Sequence, residues 1–232
     1  LFAKPVAEGT GIGIGGDSIL ASEAALRERV SFLLAAYRQP VLVEEYIEGP
    51  DLTVGLIGNV PAAKSGLPRR RLGEGDNGAF AAALRAAAPD LHVLPMTQML
   101  YDQYPPGTEP VYSSRLKVDL ADDFRGLCPA PLPEALTAEL AALAAATFWA
   151  CGCLDVARID FRLDARAGLR PMILEINALP GLTPISDLTI MAEAQGWSHA
   201  ELIVAVANAA LRRYGLPVDE ARDPLRRVVR AG

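Results

Sequence analysis

Two short stretches place acids, an amide and a guanidinium at spacings that could do chemistry. In "ARIDFRLD" at 157–164, Arg158 and Asp160 are two apart and share one face of an extended strand. In "LEINALPGLTP" at 174–184, Glu175 and Asn177 do the same inside an otherwise apolar, buried-looking run. The turn-forming "ARAG" at 165–168 separates the two stretches, so they read as one antiparallel hairpin. Pairing across that turn sets residue 160 roughly opposite 173–175 and brings Arg158 near Glu175 or Asn177. One sheet face then holds two carboxylates, a carboxamide and a guanidinium. The plain alternative is the solvated side of a half-buried sheet. Hard oxygen ligands converging on one point are what Mg²⁺ takes, with water and phosphate oxygens completing its shell. The pattern therefore points to a metal–nucleotide site.

A nucleotide needs phosphate donors and a base pocket. Lys4 ends the strand-like "LFAKP", just before the glycine loop "EGTGIG" at 8–13. Backbone N–H groups of such a loop can cradle phosphate, and glycine permits close approach. A plain hairpin turn is the competing reading. No G-K-[ST] ending makes it a P-loop, and no helix follows directly as in a dinucleotide fingerprint. "VEEYIEGPD" at 43–51 is an apolar strand running into a polar stop, whose backbone could meet adenine while an acid binds ribose.

The elements that position these groups are legible in outline. Ser22 is an N-cap candidate for a helix over 22–38. Residues 41–47 and 52–58 read as two strands of a hairpin turned by "EGPD". Residues 61–111 are the hardest to read, with a loop-like 64–78, a helical 79–88 and a charge run Arg69–Arg71 suited to a solvated turn. Residues 133–151 form a long Ala/Leu-rich helix opened by Pro133. Two more helices follow at about 187–195 and 199–214, then a polar tail at 216–232.

Composition narrows the classes. The chain has 232 residues, 51% hydrophobic, enough for one large domain or two small ones. A net charge of -6 carries no footprint for nucleic acid or an anionic membrane surface. No apolar run approaches a membrane span, and no signal peptide opens the chain. Cys128, Cys151 and Cys153 fit neither a disulfide framework nor a zinc pattern and read as core thiols in a reducing cytoplasm. His92 and His199 are too far apart in sequence to suggest a histidine metal site. The first residue is Leu1, already in a strand-like stretch, so an N-terminal piece is expected to be missing.

"FAKPVAEGTGIGI", "VLVEEYIEGPDLTVGLIGN", "CPAPLPEALTAEL", "ARIDFRLD" and "LEINALPGLTPISDL" together resemble the D-alanine–D-alanine ligase family of ATP-grasp enzymes over 1–59 and about 110–215. The resemblance implies an α+β ATP-grasp fold, two α+β subdomains with nucleotide bound between antiparallel sheets. Residues 1–47 would be the small subdomain and 48–215 the catalytic one with an insertion at about 60–111, leaving 216–232 as a surface tail. It implies an ATP-dependent ligase that joins two amino acids through an acyl phosphate, in the cytoplasm, for peptidoglycan assembly. Lys4 matches the lysine on the α- and β-phosphates. Thr10 and Gly11 match the loop that covers them. Glu44, with the backbone of Glu45 and Ile47, matches the adenine hinge, and Leu174 is grouped with the nucleotide-binding residues. Asp51 matches the ribose acid. Asp160, Glu175 and Asn177 match the ligands of two Mg²⁺ ions, Glu175 bridging, with Mn²⁺ as the alternative ion. Arg158 and the Gly181 N–H match the oxyanion donors, and Ser186 the serine near the second substrate's carboxylate.

The departures bear on specificity. In "YSSRLKV" at 112–118, Tyr112 and Lys117 keep the family spacing, so Lys117 is placed at the phosphates, but Ser114 and Val118 replace tyrosines. That puts D-alanine as the nucleophile in doubt. Partners are small amino-acid substrates, without nucleic acid or membrane, with a homodimer open and an absent N-terminal domain needed to complete the site. A ligase of other amino-acid specificity is the near alternative. A non-catalytic ATP-binding module and an ATP-grasp kinase are the distant ones, opposed by the intact acidic set and by the glycine of "NALPGLTP".

Overall fold

The computed structural model describes residues 1–9, 11–60, 83, 88, 90–111, 113, 116 and 126–229. Thr10, Tyr112, Ser114, Lys117 and Val118 lie outside the described residues, as do Arg69–Arg71 and most of the helix expected over 79–88. The strands are β1 (Phe2–Pro5), β2 (Val41–Glu44), β3 (Asp51–Gly58), β4 (His92–Val93), β5 (Thr97–Met99), β6 (Gly126–Leu127), β7 (Asp155–Asp164) and β8 (Arg170–Asn177). The helices are α1 (Glu23–Tyr37), α2 (Glu134–Ala150), α3 (Asp187–Ala194), α4 (His199–Arg213) and α5 (Pro224–Val229). The chain divides into two compact units.

The first unit comprises Leu1–Asp51, Met99–Gly126 and Leu163–Arg170. Ser22 caps α1 by accepting from the Ala25 N–H at 3.2 Å, and Arg38 in the left-handed region ends it. Leu33 of α1 is buried against Ala3 and Leu20, with Ala25, Leu26, Tyr37 and Val41 packed around them. β1 and β2 run antiparallel, Phe2 opposite Glu44 and Lys4 opposite Leu42. The hairpin expected over 41–58 does not form: β2 pairs with β1, and β3 belongs to the other sheet. The reason lies at 48–50. There the Pro50 carbonyl accepts from the Leu163 N–H at 3.0 Å and the Glu48 carbonyl from the Ala165 N–H at 2.9 Å, so "EGP" is tied to the end of β7. Gly49 between them has φ +150 and lies so close that a Cβ would sit 1.8 Å from the Leu163 carbonyl oxygen.

The second unit comprises Leu52–Gln98, Leu127–Arg162 and Pro171–Gly232. Its sheet has the strand order β6-β5-β3-β7-β8, with β4 also paired to β3. The register sets Thr53 opposite Thr97 and Ile57 opposite His92, both antiparallel. Alternation along β7 buries Ala157, Ile159 and Phe161, so Arg158 and Asp160 turn to the other face. Ile57, Leu94, Val156, Leu188, Met191 and Leu202 are among the residues of one core cluster. Gly55 of β3 lets α3 approach, since a Cβ there would meet Leu188 Cδ2 at 2.5 Å. Ser198 and Glu201 form a reciprocal capping box that starts α4.

Three expectations are corrected. Among the described strands β8 is outermost, with Ile173 and Leu174 exposed rather than buried, so its apolar run does not mark a central strand. The thiols are free, but Cys151 is exposed and the other two half-buried, so they are not core. Residues 216–232 are not wholly a surface tail: they include α5, and Asp223 is fully buried in an ion pair with Arg212. Leu225 packs against the core cluster.

Candidate functional site

In the second unit the β7–β8 hairpin gathers the acidic set. Asp160 accepts from Arg158 through both oxygens, Nε to Oδ1 at 3.0 Å and Nη2 to Oδ2 at 2.8 Å. Its Oδ1 also accepts from the Thr53 hydroxyl at 3.0 Å, and its Oδ2 from Asn177 Nδ2 at 3.2 Å. The same Asn177 Nδ2 donates to Glu175 Oε1 at 3.2 Å, so one amide joins the two carboxylates. Arg158 reaches on through Nη1 to Asp187 Oδ2 at 2.7 Å. The three side chains Arg158, Asp160 and Asp187 are 13%, 15% and 11% exposed.

This set fits a hard divalent cation. Rotating the Asn177 amide by half a turn replaces a donor between two anions with an oxygen, giving three oxygen-bearing side chains at one place. Among the described residues no three or more His, Cys, Asp and Glu side chains form a metal-holding group. Two carboxylates and a carboxamide suit an ion that keeps water and phosphate oxygens in its shell.

The loop after β8 carries the other expected groups. A Cβ on Gly181 would stand 3.5 Å from the Ser186 Cβ, so the two residues are neighbours. The Ser186 hydroxyl and that of buried Thr189 each donate to the Thr183 carbonyl at 2.8 Å, which closes the turn into α3. His199 Nε2 meets the Leu182 carbonyl at 2.7 Å, next to Gly181. Leu174 is exposed beside Glu175, and Leu179 is 94% exposed in the loop.

The first unit holds the remaining described candidates. Lys4 pairs with Glu44 at 2.8 Å across β1 and β2, a half-exposed contact of modest strength. Gly11 has φ +76, and its carbonyl accepts from the Ile14 N–H at 3.0 Å in the glycine loop. Buried Arg29 braces this loop by donating to the Gly13 carbonyl at 2.8 Å and pairing with Asp17. The segment 45–47 follows β2 just before the tethered Gly49, so Glu45 and Ile47 lie outside regular secondary structure. Arg166, in the β7–β8 turn, donates to Glu45 at 2.8 Å and to buried Asp164 at 3.1 Å. The hydrogen bond from Arg166 holds the Asp164 carboxyl below the usual range, and Asp164 with Glu45 raises the Arg166 guanidinium. Asp51 accepts from the Tyr101 hydroxyl.

The structure thus unites Asp160, Glu175, Asn177 and Arg158 in one cluster, Gly181 with Ser186, and Lys4 with Glu44. Sequence reasoning missed Thr53, Tyr101, Arg166 and Asp187. Asp187 carried one signal, since it follows Ser186 at a helix start, but a first-turn acid reads as ordinary capping. The other three needed the strand register or a contact distant in sequence.

A small antiparallel sheet bearing Lys4 and Glu44, and a larger one whose hairpin bears an acid–amide–arginine cluster, make this an α+β ATP-grasp fold. Solved structures share it. Two of D-alanine–D-alanine ligase from Bacillus anthracis, one complexed with ATP, align with TM-scores of 0.54 (with ATP) and 0.60, at 18% and 19% identity. Each covers 91% of this chain, and 50% and 54% of the solved chains are matched.

Residues 93–208 match the family model described as D-ala D-ala ligase C-terminus, and the chain belongs to that family. A D-alanine–D-alanine ligase of Bordetella petrii is 32% identical over 94% of this chain and 54% of its own length. The uncharacterized protein y4sG of Sinorhizobium fredii is 31% identical over 92% of this chain and 53% of its own. The chain spans about half the length of the curated relatives it matches. No helix among the described residues is long and apolar enough to cross a membrane.

Proposed function

We propose that the chain is the ATP-grasp part of an ATP-dependent carboxylate–amine ligase that joins two amino acids, D-alanine–D-alanine ligase-like in mechanism. The observation that carries the reading is the convergence of Asp160, Glu175 and Asn177 beside a braced Arg158. The family membership and an ATP-complexed neighbour of the same fold support it.

In this reading Lys4 holds the α- and β-phosphates, and a phosphate group competes with Glu44 for its ammonium. Thr10, Gly11 and Lys117 complete the phosphate contacts. Glu44, Glu45 and Ile47 hold the adenine, Asp51 the ribose, and Leu174 offers apolar surface to the nucleotide. Asp160, Glu175 and Asn177 are the residues that would hold the Mg²⁺ ions, or Mn²⁺, that accompany the nucleotide. When bound, the cations offset phosphate charge and make the γ-phosphoryl group easier to transfer.

A carboxylate oxygen of the first amino acid takes the γ-phosphoryl group and ADP leaves. The amine nitrogen of the second attacks the acyl carbon, its proton is lost, and the carbon–oxygen bond to phosphate breaks. Arg158 and the Gly181 N–H stabilise the oxyanion of the tetrahedral species. Ser186 contacts the carboxylate of the second substrate, its hydroxyl turning from the Thr183 carbonyl to do so. The relatives' other half would bring the first-substrate acid and a further phosphate lysine. The reaction draws on cytoplasmic ATP, and one product of this class is the D-alanyl-D-alanine used in peptidoglycan.

The test supplies the full-length protein with ATP, Mg²⁺ and a panel of D- and L-amino acids, and follows phosphate release and product mass. Amino-acid-dependent phosphate with a dipeptide mass is the expected result. Folded protein that releases none refutes the ligase reading, and a phosphorylated amino acid without dipeptide identifies a kinase instead.

A further inference from the structure

We propose that Asp187 is a positioning residue that holds the Arg158 guanidinium against the reacting carbonyl independently of Asp160. The inference rests on the ligase reading above. Arg158 is held from two sides, by a fork to Asp160 at 3.0 and 2.8 Å and by Nη1 to Asp187 Oδ2 at 2.7 Å.

The two acids are not equivalent. Asp160 also accepts from Thr53 and Asn177, and in the ligase reading it would be one of the oxygen ligands for a cation. Were Asp160 to hold a cation, its oxygens would be less available to the Arg158 fork. Asp187 stands outside the Asp160–Glu175–Asn177 set, on a different element, as the first residue of α3, where the helix dipole favours an anion. Its contact with Arg158 is a charge-assisted bond between side chains only 11% and 13% exposed. Arg158 therefore keeps one anchor whatever Asp160 does. That anchor follows directly after Ser186, so the turn that meets the second substrate also fixes the oxyanion arginine.

The experiment compares full-length wild type with Asp187→Asn. The expected result is a kcat for amino-acid-dependent phosphate release lower by about 10–100-fold. The KM for ATP should stay within about twofold, as for a lost transition-state contact. Losing the charge of a nearly buried pair also lowers the melting temperature, so kcat is read well below the variant's unfolding transition. Asp187→Glu, which restores the charge, should recover part of the loss. An unchanged kcat, or a loss fully accounted for by the unfolded fraction at the assay temperature, overturns the proposal. Asp187→Ser replaces the asparagine variant if that variant does not fold.

A second readout needs no turnover. The Arg158 guanidinium signal in ¹⁵N–¹H spectra is assigned by its disappearance in Arg158→Lys. Its N–H exchange should speed up about tenfold or more in Asp187→Asn as a charge-assisted bond is lost. An unchanged signal overturns the anchoring. If the signal responds while wild type makes no dipeptide, the ligase reading fails and the anchoring stands. If dipeptide forms while the signal stays fixed, the anchoring alone fails.

Discussion

Replacing Gly49 by alanine should loosen the segment that precedes β3. The new Cβ would lie 1.8 Å from the Leu163 carbonyl oxygen and 3.2 Å from the Ala165 nitrogen. No side-chain rotation relieves this, because the struck atoms are backbone. The chain must part at this point, breaking the bonds from Leu163 N–H to Pro50 and from Ala165 N–H to Glu48. Two such bonds are worth about 1–3 kcal/mol together. Holding a residue with a Cβ at φ +150 adds on the order of 1–3 kcal/mol. The sum is roughly 2–6 kcal/mol, or a melting temperature lower by about 5–20 °C for a chain of this size. Because Glu44, Glu45 and Ile47 lie just upstream, affinity for a fluorescent ATP analogue should fall with it. Melting curves and a binding titration on purified Gly49→Ala check both. A variant that melts within about 1 °C of wild type would refute the tethering argument.

Glu175→Gln should abolish amino-acid-dependent turnover and leave the melting temperature unchanged, since Glu175 is exposed on the outermost of the described strands. Retained turnover would remove Glu175 from the metal set. Arg158→Ala should lower kcat by about 10²–10³, as for a lost oxyanion donor, measured under single-turnover conditions. Arg213 bonds to Asp155, with Asn59 adding to it, and this holds the Asp155 carboxyl below the usual range. A depressed carboxyl stabilises the fold above its unfolded pKa and loses that stabilisation as pH falls through the folded value. Asp155→Asn should therefore be less stable than wild type at pH 7 in urea titrations. The gap should close below about pH 4.

Periodicity carried much of the fold. Ser22 and the apolar spacing after it gave α1, and the alternation in "DVARIDFRLD" gave β7 with Arg158 and Asp160 on one face. The hairpin partner, β8, was legible because "ARAG" leaves no other short route. The pairing of β2 was not legible. Local turn chemistry at "EGPD" favours a hairpin, but the partner that takes the Glu48 and Pro50 carbonyls is more than a hundred residues away. The exposure of Ile173 and Leu174 was hidden for the same reason, since an apolar run does not say whether a further strand covers it.

By itself the sequence determined the residue types of the site and their faces, because a two-residue repeat follows from strand geometry alone. Tertiary structure decided which partners those residues meet. It gave Arg158 a second acid in Asp187, set Thr53 under Asp160, and turned Gly49 from a turn residue into a point of contact with Leu163. Such contacts depend on packing and register between segments far apart in the chain, which no local spacing encodes.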